Sequence, residues 1–220
     1  MKITCVIPAY NEEKNISSVI ASVKKYVDEV IVIDDGSQDK TGQLSSSAGA
    51  IVLKHIINRG QGASIELGNR YALQNGADII VHFDADNQFS AEEIKDLVAP
   101  IINGEAEAVL GSRFLSKKSE LPKFKKNIIM PLARLVNKIF FNINLSDPQS
   151  GFRALNKETA QKIRIENDGM AHCSEILYQL FKNKIKIKEV PITVTYHEYG
   201  QNFSGGLKII KDLLIKKIIR

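Results

Sequence analysis

Asp84 and Asp86 stand one residue apart in Asp84-Ala85-Asp86-Asn87-Gln88, directly after the apolar run Ile79–Phe83. Two carboxylates spaced this way at the end of a buried strand can both turn toward a hard divalent cation, and the Gln88 side-chain carbonyl can complete an all-oxygen set. Such a cation would neutralise a diphosphate. A second acidic cluster, Asp34-Asp35-Gly36-Ser37-Gln38-Asp39, follows the run Val30–Ile33; its Asp39 could equally cap the helix behind it. Pro8-Ala9-Tyr10-Asn11-Glu12 follows the first apolar run and adds an aromatic face and a carboxylate. Taken singly, acidic loop residues are ordinarily turn formers. Three such loops meeting on one rim describe a nucleotide pocket.

That rim requires several strands to end on the same side. Ile3–Pro8, Val30–Ile33, Ala50–Leu53, Ile79–Phe83 and Ala108–Gly111 read as strands too continuously apolar for a sheet with one wet face. Helical stretches fall between them near 13–25, 39–47, 61–75 and 90–102, the last opening on Ser90 with Glu93 three residues on, a capping-box pattern. Strands alternating with helices predict an α/β domain whose mostly parallel central sheet is flanked by helices, with ligands outside the carboxyl ends of the strands. Beyond Gly111 the pattern loosens. A five-lysine loop (Lys117, Lys118, Lys123, Lys125, Lys126) leads to Ile128–Ile143, then a loop DPQSGFRA (147–154), helices near 156–163 and 173–182, and strand-like Ile187–Val190 and Ile192–Tyr196.

With 220 residues, 44% of them apolar, the chain suits one domain that needs no disulfide to fold. Cys5 and Cys173 form no CxxC pattern, and Met1-Lys2 leads straight into ITCVIPAY, so a cytoplasmic protein with reduced thiols is expected. The net charge of +5 conceals a division: residues 1–110 hold 9 Lys+Arg against 16 Asp+Glu, and residues 111–220 hold 21 against 9. An evenly basic surface would suit nucleic acid. The division instead predicts a carboxylate-using half beside one that meets phosphates or lipid headgroups.

IPAYNEE, VIDDGSQDKT, NRGQGAS, FDADNQ, GSRF and DPQSGFRA, in this order, resemble the family 2 glycosyltransferases, in the branch similar to dolichyl-phosphate mannose synthase and polyprenyl-phosphate glucosyltransferases. The resemblance covers about residues 2–196 and implies a GT-A fold, a UDP- or GDP-sugar donor, Mg²⁺ or Mn²⁺, and inversion at the anomeric carbon. It implies that Pro8, Ala9, Tyr10 and Glu12 hold the nucleoside, and that Ile33 and Asp35 line the base pocket. Gln61 stands where relatives often carry Lys, beside the nucleotide. Asp84 and Ala85 would lie on the ribose and sugar side, with Asp86 and Gln88 holding the metal on the diphosphate. Arg113 would meet the diphosphate and the acceptor phosphate, where a guanidinium binds oxyanions bidentately. A lipid phosphate arrives ionised and needs no general base; for a hydroxyl acceptor, Asp147 is the candidate base, with Glu175 second.

In the synthase-like enzymes a C-terminal segment offers Arg and then Ser-Lys to phosphates. The comparable stretch here, Tyr196 to Ser204, has neither, though His197 could meet a phosphate when protonated. A glycan hydroxyl acceptor in cell-surface polysaccharide synthesis, and a non-catalytic nucleotide-sugar-binding relative, are therefore the alternatives. No stretch of about 18 uncharged apolar residues suggests a membrane span. Helix 128–143 suits either an anionic bilayer surface or the domain core. Residues 197–220 are expected to form a basic amphipathic helical extension of the 1–196 domain, and could pack on the cytoplasmic face of the bilayer, an integral-membrane partner or a second copy in a homo-oligomer.

Overall fold

The computed structural model describes residues 1–115 and 145–195. Its elements are β1 (Ile3–Ala9), α1 (Ile16–Val23), β2 (Glu29–Asp34), α2 (Thr41–Ser47), β3 (Ile51–Lys54), α3 (Gln61–Gln74), β4 (Ile79–His82), a 3₁₀ turn (Ala91–Glu93), α4 (Ile94–Ile102), β5 (Ala108–Ser112), β6 (Arg153–Asn156), α5 (Lys157–Lys162), α6 (His172–Lys182) and β7 (Ile187–Pro191). The strands form one sheet in the order β3-β2-β1-β4-β6-β5-β7. Only β6 runs against its neighbours, pairing antiparallel with β4 and β5.

Alternation along the strands feeds two cores. Ile7, Val32 and Val81 face α1 and α4, where they meet Val19, Ile20, Ile94 and Leu97. Val6, Ile33 and Ile80 face α3, α5 and α6, where they meet Ile65, Ala160 and Leu177. Both faces are covered, so these strands read as unbroken apolar runs. Helix α3 lies close on the sheet because residue 68 is glycine: a Cβ there would collide with Val6 Cγ1 and stand 2.7 Å from Ile33 Cδ1.

Two local expectations are corrected. DPQSGFRA is not all loop: Arg153 opens β6, which enters the sheet between β4 and β5 with Arg153 paired to His82 and Leu110. The capping box at Ser90 does not form, since Glu93 instead receives the Thr193 backbone N–H at 2.9 Å and fastens the chain after β7 to the start of α4. The helix expected over 128–143, the lysine loop before it, His197 and the 197–220 extension lie outside the described residues.

Candidate active site

The parallel strands place the loops after β1, β2, β4 and β5 on one edge. Because β6 is antiparallel, the loop 147–152 that precedes it arrives at the same edge.

The first two loops are stapled together. Asn11, at φ +55°, donates its backbone N–H to Ser37 Oγ and accepts from the Gln38 backbone, while Glu12 N–H donates to Thr41 Oγ1 at 2.8 Å. Asp39 accepts from the Thr41 backbone and hydroxyl and from the Glu13 backbone, a turn just ahead of α2, whose N-cap is Lys40 rather than Asp39. Between the loops opens a cleft of about 370 Å³ lined by Tyr10, Gly36, Ser37, Lys54 and Ile57. Tyr10 is 44% exposed and Ile57 69%, two apolar surfaces suited to the faces of a planar ring. Gly36 is required there: its φ is +76°, and a Cβ would lie 2.7 Å from the Ile57 carbonyl carbon.

Pro8 is half-buried within β1. The side chains of Ala9 and Ala85 are buried in the core, which leaves only their backbones to meet a ligand. Ile33 does not line the cleft. It is fully buried beneath Gly68, because alternation along β2 turns it into the core under α3. Asp35 is buried too, and its carboxylate is already engaged: Oδ1 meets His55 Nδ1 at 2.7 Å and accepts the Arg59 N–H, while Oδ2 accepts the Gly60 N–H at 2.7 Å. Asp35 thus orients the turn that starts α3. Gln61, the first residue of α3, reaches across to donate Nε2–H to Asp84 Oδ1 at 2.9 Å.

Asp84, Asp86 and Glu12 share one electrostatic field. Burial, followed by the charge of Asp86, pushes the Asp84 carboxyl up to about 7. Glu12 is also raised, chiefly by burial, against the Asn15 hydrogen bond that favours its charge, with repulsion from Asp86 and Asp39 adding to the rise. Asp86 Oδ1 accepts the Gln88 N–H, a turn in which Asn87 takes φ +60°. Among the described residues no three His, Cys, Asp or Glu side chains form a metal cage by themselves. The donors nevertheless fit Mg²⁺ or Mn²⁺, which are commonly held by one or two carboxylates together with substrate phosphates and water. A cation would relieve the mutual repulsion of these carboxylates.

Arg113, just after β5, is fixed by Asp147: Nε–Oδ2 is 2.6 Å, Nη2–Oδ1 2.7 Å, and the Arg113 backbone N–H donates to Oδ2. Asp147 is 1% exposed, so the expected general base is instead the buried anchor of an arginine. Glu175 is likewise occupied, accepting from the Glu166 and Asn167 backbones and Asn167 Nδ2. Sequence reading missed Glu189 of β7. Its carboxylate accepts from the backbones of Ser146 and Asp147 and from Ser146 Oγ, and so sets the loop that carries Asp147. It stands beside Lys188 in an edge strand of mixed exposure, so no sequence signal marks it out.

The family model for Glycosyl transferase family 2 matches residues 4–164. A UDP-N-acetylglucosamine–dolichyl-phosphate N-acetylglucosaminyltransferase of Methanococcus voltae is 34% identical over 97% of this chain and 95% of its own length. The undecaprenyl-phosphate mannosyltransferase of Micrococcus luteus is 30% identical over 94% and 89%. The crystal structure of glucosyl-3-phosphoglycerate synthase from Mycobacterium tuberculosis, in complex with Mn²⁺, UDP and glucosyl-3-phosphoglycerate, superposes with a TM-score of 0.75. It covers 97% of this chain and 78% of its own at 23% identity, a likeness of fold. With the α/β sheet, the acidic strand-end loops and the ordered motifs on one edge, the chain belongs to the family 2 glycosyltransferases and has their GT-A fold.

Proposed function

We propose that this enzyme transfers a sugar, with inversion, from a UDP- or GDP-sugar to a polyprenyl phosphate at the membrane surface, using Mg²⁺ or Mn²⁺. The observation that carries the choice of acceptor is the engagement of Asp147 and Glu175: the two carboxylates best suited by sequence to activate a hydroxyl are both anchors. A phosphate acceptor is already ionised and needs no base. The named relatives from Methanococcus voltae and Micrococcus luteus, which act on dolichyl and undecaprenyl phosphate, support the same reading.

In this reading Tyr10 and Ile57 take the base, Glu12 accepts ribose hydroxyls, and Asp84 meets the ribose or sugar. Asp86 and Gln88 hold the cation, which when bound supplies charge to the departing diphosphate. Asp35 acts by positioning the Arg59–Gln61 turn. Arg113, held rigid by Asp147, draws the acceptor phosphate toward the anomeric carbon, on the face opposite the leaving group. None of the described helices is long and apolar enough to cross a membrane.

Thermal-shift measurement across UDP- and GDP-sugars with Mn²⁺ identifies the donor, because ligand linkage raises the melting temperature for the bound sugar nucleotide. Transfer of labelled sugar from that donor into a polyprenyl-phosphate extract is then expected, and Asp86→Ala abolishes it without unfolding the chain. Undiminished turnover in excess chelator, or transfer only to glycan hydroxyls, overturns the reading.

A further inference from the structure

Arg153 is the largest fully buried side chain described, 1% exposed in the middle of the sheet. Its guanidinium remains charged, and a buried charge without a counterion is strongly destabilising. Its hydrogen-bond acceptors are the Ser150 and Gly151 carbonyls, which are neutral, and Cys173 Sγ at 3.3 Å from Nη2. Asp84 lies within electrostatic range but bonds to Gln61. Among the atoms that Arg153 hydrogen-bonds, the sulfur is the one that can carry a countercharge.

A proton acceptor stands ready beside it. His172 is fully buried, and its Nδ1 lies 2.9 Å from the Gly169 carbonyl, an oxygen that can only accept. Nδ1 therefore carries its hydrogen, and Nε2, 3.4 Å from Cys173 Sγ, is the nitrogen free to take the thiol proton. Cys173 also sits in the first turn of the 11-residue α6, where the helix dipole favours an anion.

We propose that Cys173 is a thiolate held between Arg153 and a protonated His172, and that this anion is the positioning residue that keeps the Ser150–Gly151 turn against Asp84. The S–H bond breaks, its proton passes to His172 Nε2, and the electron pair stays on sulfur. Arg153 is then drawn toward α6 while its other N–H groups hold the two carbonyls. Gly151 in turn walls Asp84: a Cβ on it would lie 2.9 Å from Asp84 Oδ2. The ionisable groups facing the sulfur are Arg153 from β6, His172 from α6 and Asp84 from the loop after β4, with His82 of β4 behind Arg153 and His172. The two cations outweigh burial and hold the thiol down to about 6, and the histidine is raised, burial opposing and Cys173 favouring its charge. His82 is driven well down by burial and by Arg153, so it adds no charge.

The charge assignment is tested on the wild-type protein alone, by following thiolate ultraviolet absorbance against pH. The other thiol, Cys5, is buried and pushed far above the ordinary range by that burial, so it stays silent. A rise centred near 6 is expected; a rise at the ordinary thiol value of about 8.5 overturns the assignment. The positioning role is tested by replacement. Cys173→Ser, which removes the anion, should lower kcat/KM for the donor at least about tenfold, while Cys173→Asp, which restores one, stays within about threefold of wild type. Equal activity in the two variants, both shown folded by circular dichroism, overturns the role. That second arm rests on reading the Asp84 loop as the donor site. The titration needs no substrate, so a chain that transferred no sugar would sink that reading and leave the thiolate standing.

Discussion

Arg113 and Asp147 form a two-point ion pair across the mouth of the sheet edge, Nε to Oδ2 at 2.6 Å and Nη2 to Oδ1 at 2.7 Å, with the carboxylate buried and the guanidinium side chain one-fifth exposed. The asymmetry of burial fixes the division of labour. Asp147 is buried and orients; Arg113 keeps part of its side chain open to solvent.

Asp147→Asn tests that division. The amide keeps the size of the side chain but loses its charge and one acceptor oxygen, so the two-point hold on Arg113 is broken. Breaking a buried pair costs on the order of 3 kcal/mol when the charge left behind stays buried, and less here because Arg113 can reach solvent. Transfer should fall about 100-fold, the cost of a misplaced group at the reacting centre. The pH–rate profile keeps its shape at reduced height. A profile that lost its alkaline plateau would restore Asp147 as a base.

Glu189→Ala should produce a related defect from a distance. Its carboxylate gathers the Ser146 N–H and hydroxyl and the Asp147 N–H. Removing it takes the charged acceptor away from these partly buried donors, at up to about 1–3 kcal/mol each where water cannot enter. Urea midpoints measure the loss of stability. In a double-mutant cycle with Arg113→Ala, the activity losses should be far from additive, since both act through the same loop. Additive losses would separate Glu189 from the site.

How much of this was legible from sequence follows the range of the interactions. β1, β2, β4 and β5 are readable because strands buried on both faces are nearly unbroken apolar runs, and Tyr10, Asp84 and Asp86 are readable because they follow such runs closely. β6 is not, since it is four residues long, begins with a charged residue and is specified by pairing with β4 and β5 from far away in sequence. The same distance hides the partners of Asp35, Asp147 and Glu175. A carboxylate in a motif looks alike whether it meets substrate or holds a loop, and only the donors around it decide. Ile33 shows the converse: it borders an acidic motif, yet alternation along β2 turns it into the core.

Gly151→Ala is expected to separate activity from stability. The new Cβ would stand 2.9 Å from Asp84 Oδ2 and 3.2 Å from Oδ1, so it presses on the carboxylate assigned to the sugar or ribose. Asp84 can shift, at a cost to its Gln61 hydrogen bond. Donor KM should therefore rise about tenfold while the melting temperature falls by only a few degrees. Gly62→Ala is the contrasting variant. Its Cβ would collide with the Asn167 carbonyl, a backbone atom, so its main effect is destabilisation by about 1–3 kcal/mol. If Gly151→Ala left donor KM unchanged, Asp84 would not contact the donor.

Glu12→Gln should exchange affinity for stability. The Glu12 carboxyl is raised by burial and by the charges of Asp86 and Asp39, against the opposing Asn15 hydrogen bond. A carboxyl whose folded value lies above its unfolded one contributes stability that is full below the unfolded value and is lost as pH rises through the folded one. At neutral pH the ionised Glu12 thus weighs against the fold. Glutamine carries no charge, and its Oε1 can still accept from Asn15 Nδ2, which Glu12 receives at 2.9 Å. Glu12 is partly exposed, so the gain at neutral pH is held to about 0.5 kcal/mol. It should vanish near pH 4, at or below the unfolded carboxyl value of about 4.3, where wild type is itself largely protonated. Denaturant unfolding at the two pH values measures that difference, and donor titration measures the accompanying loss of a charged acceptor for ribose hydroxyls, about tenfold. A variant less stable than wild type at neutral pH would mean that the Asn15 contact outweighs the repulsion from Asp86.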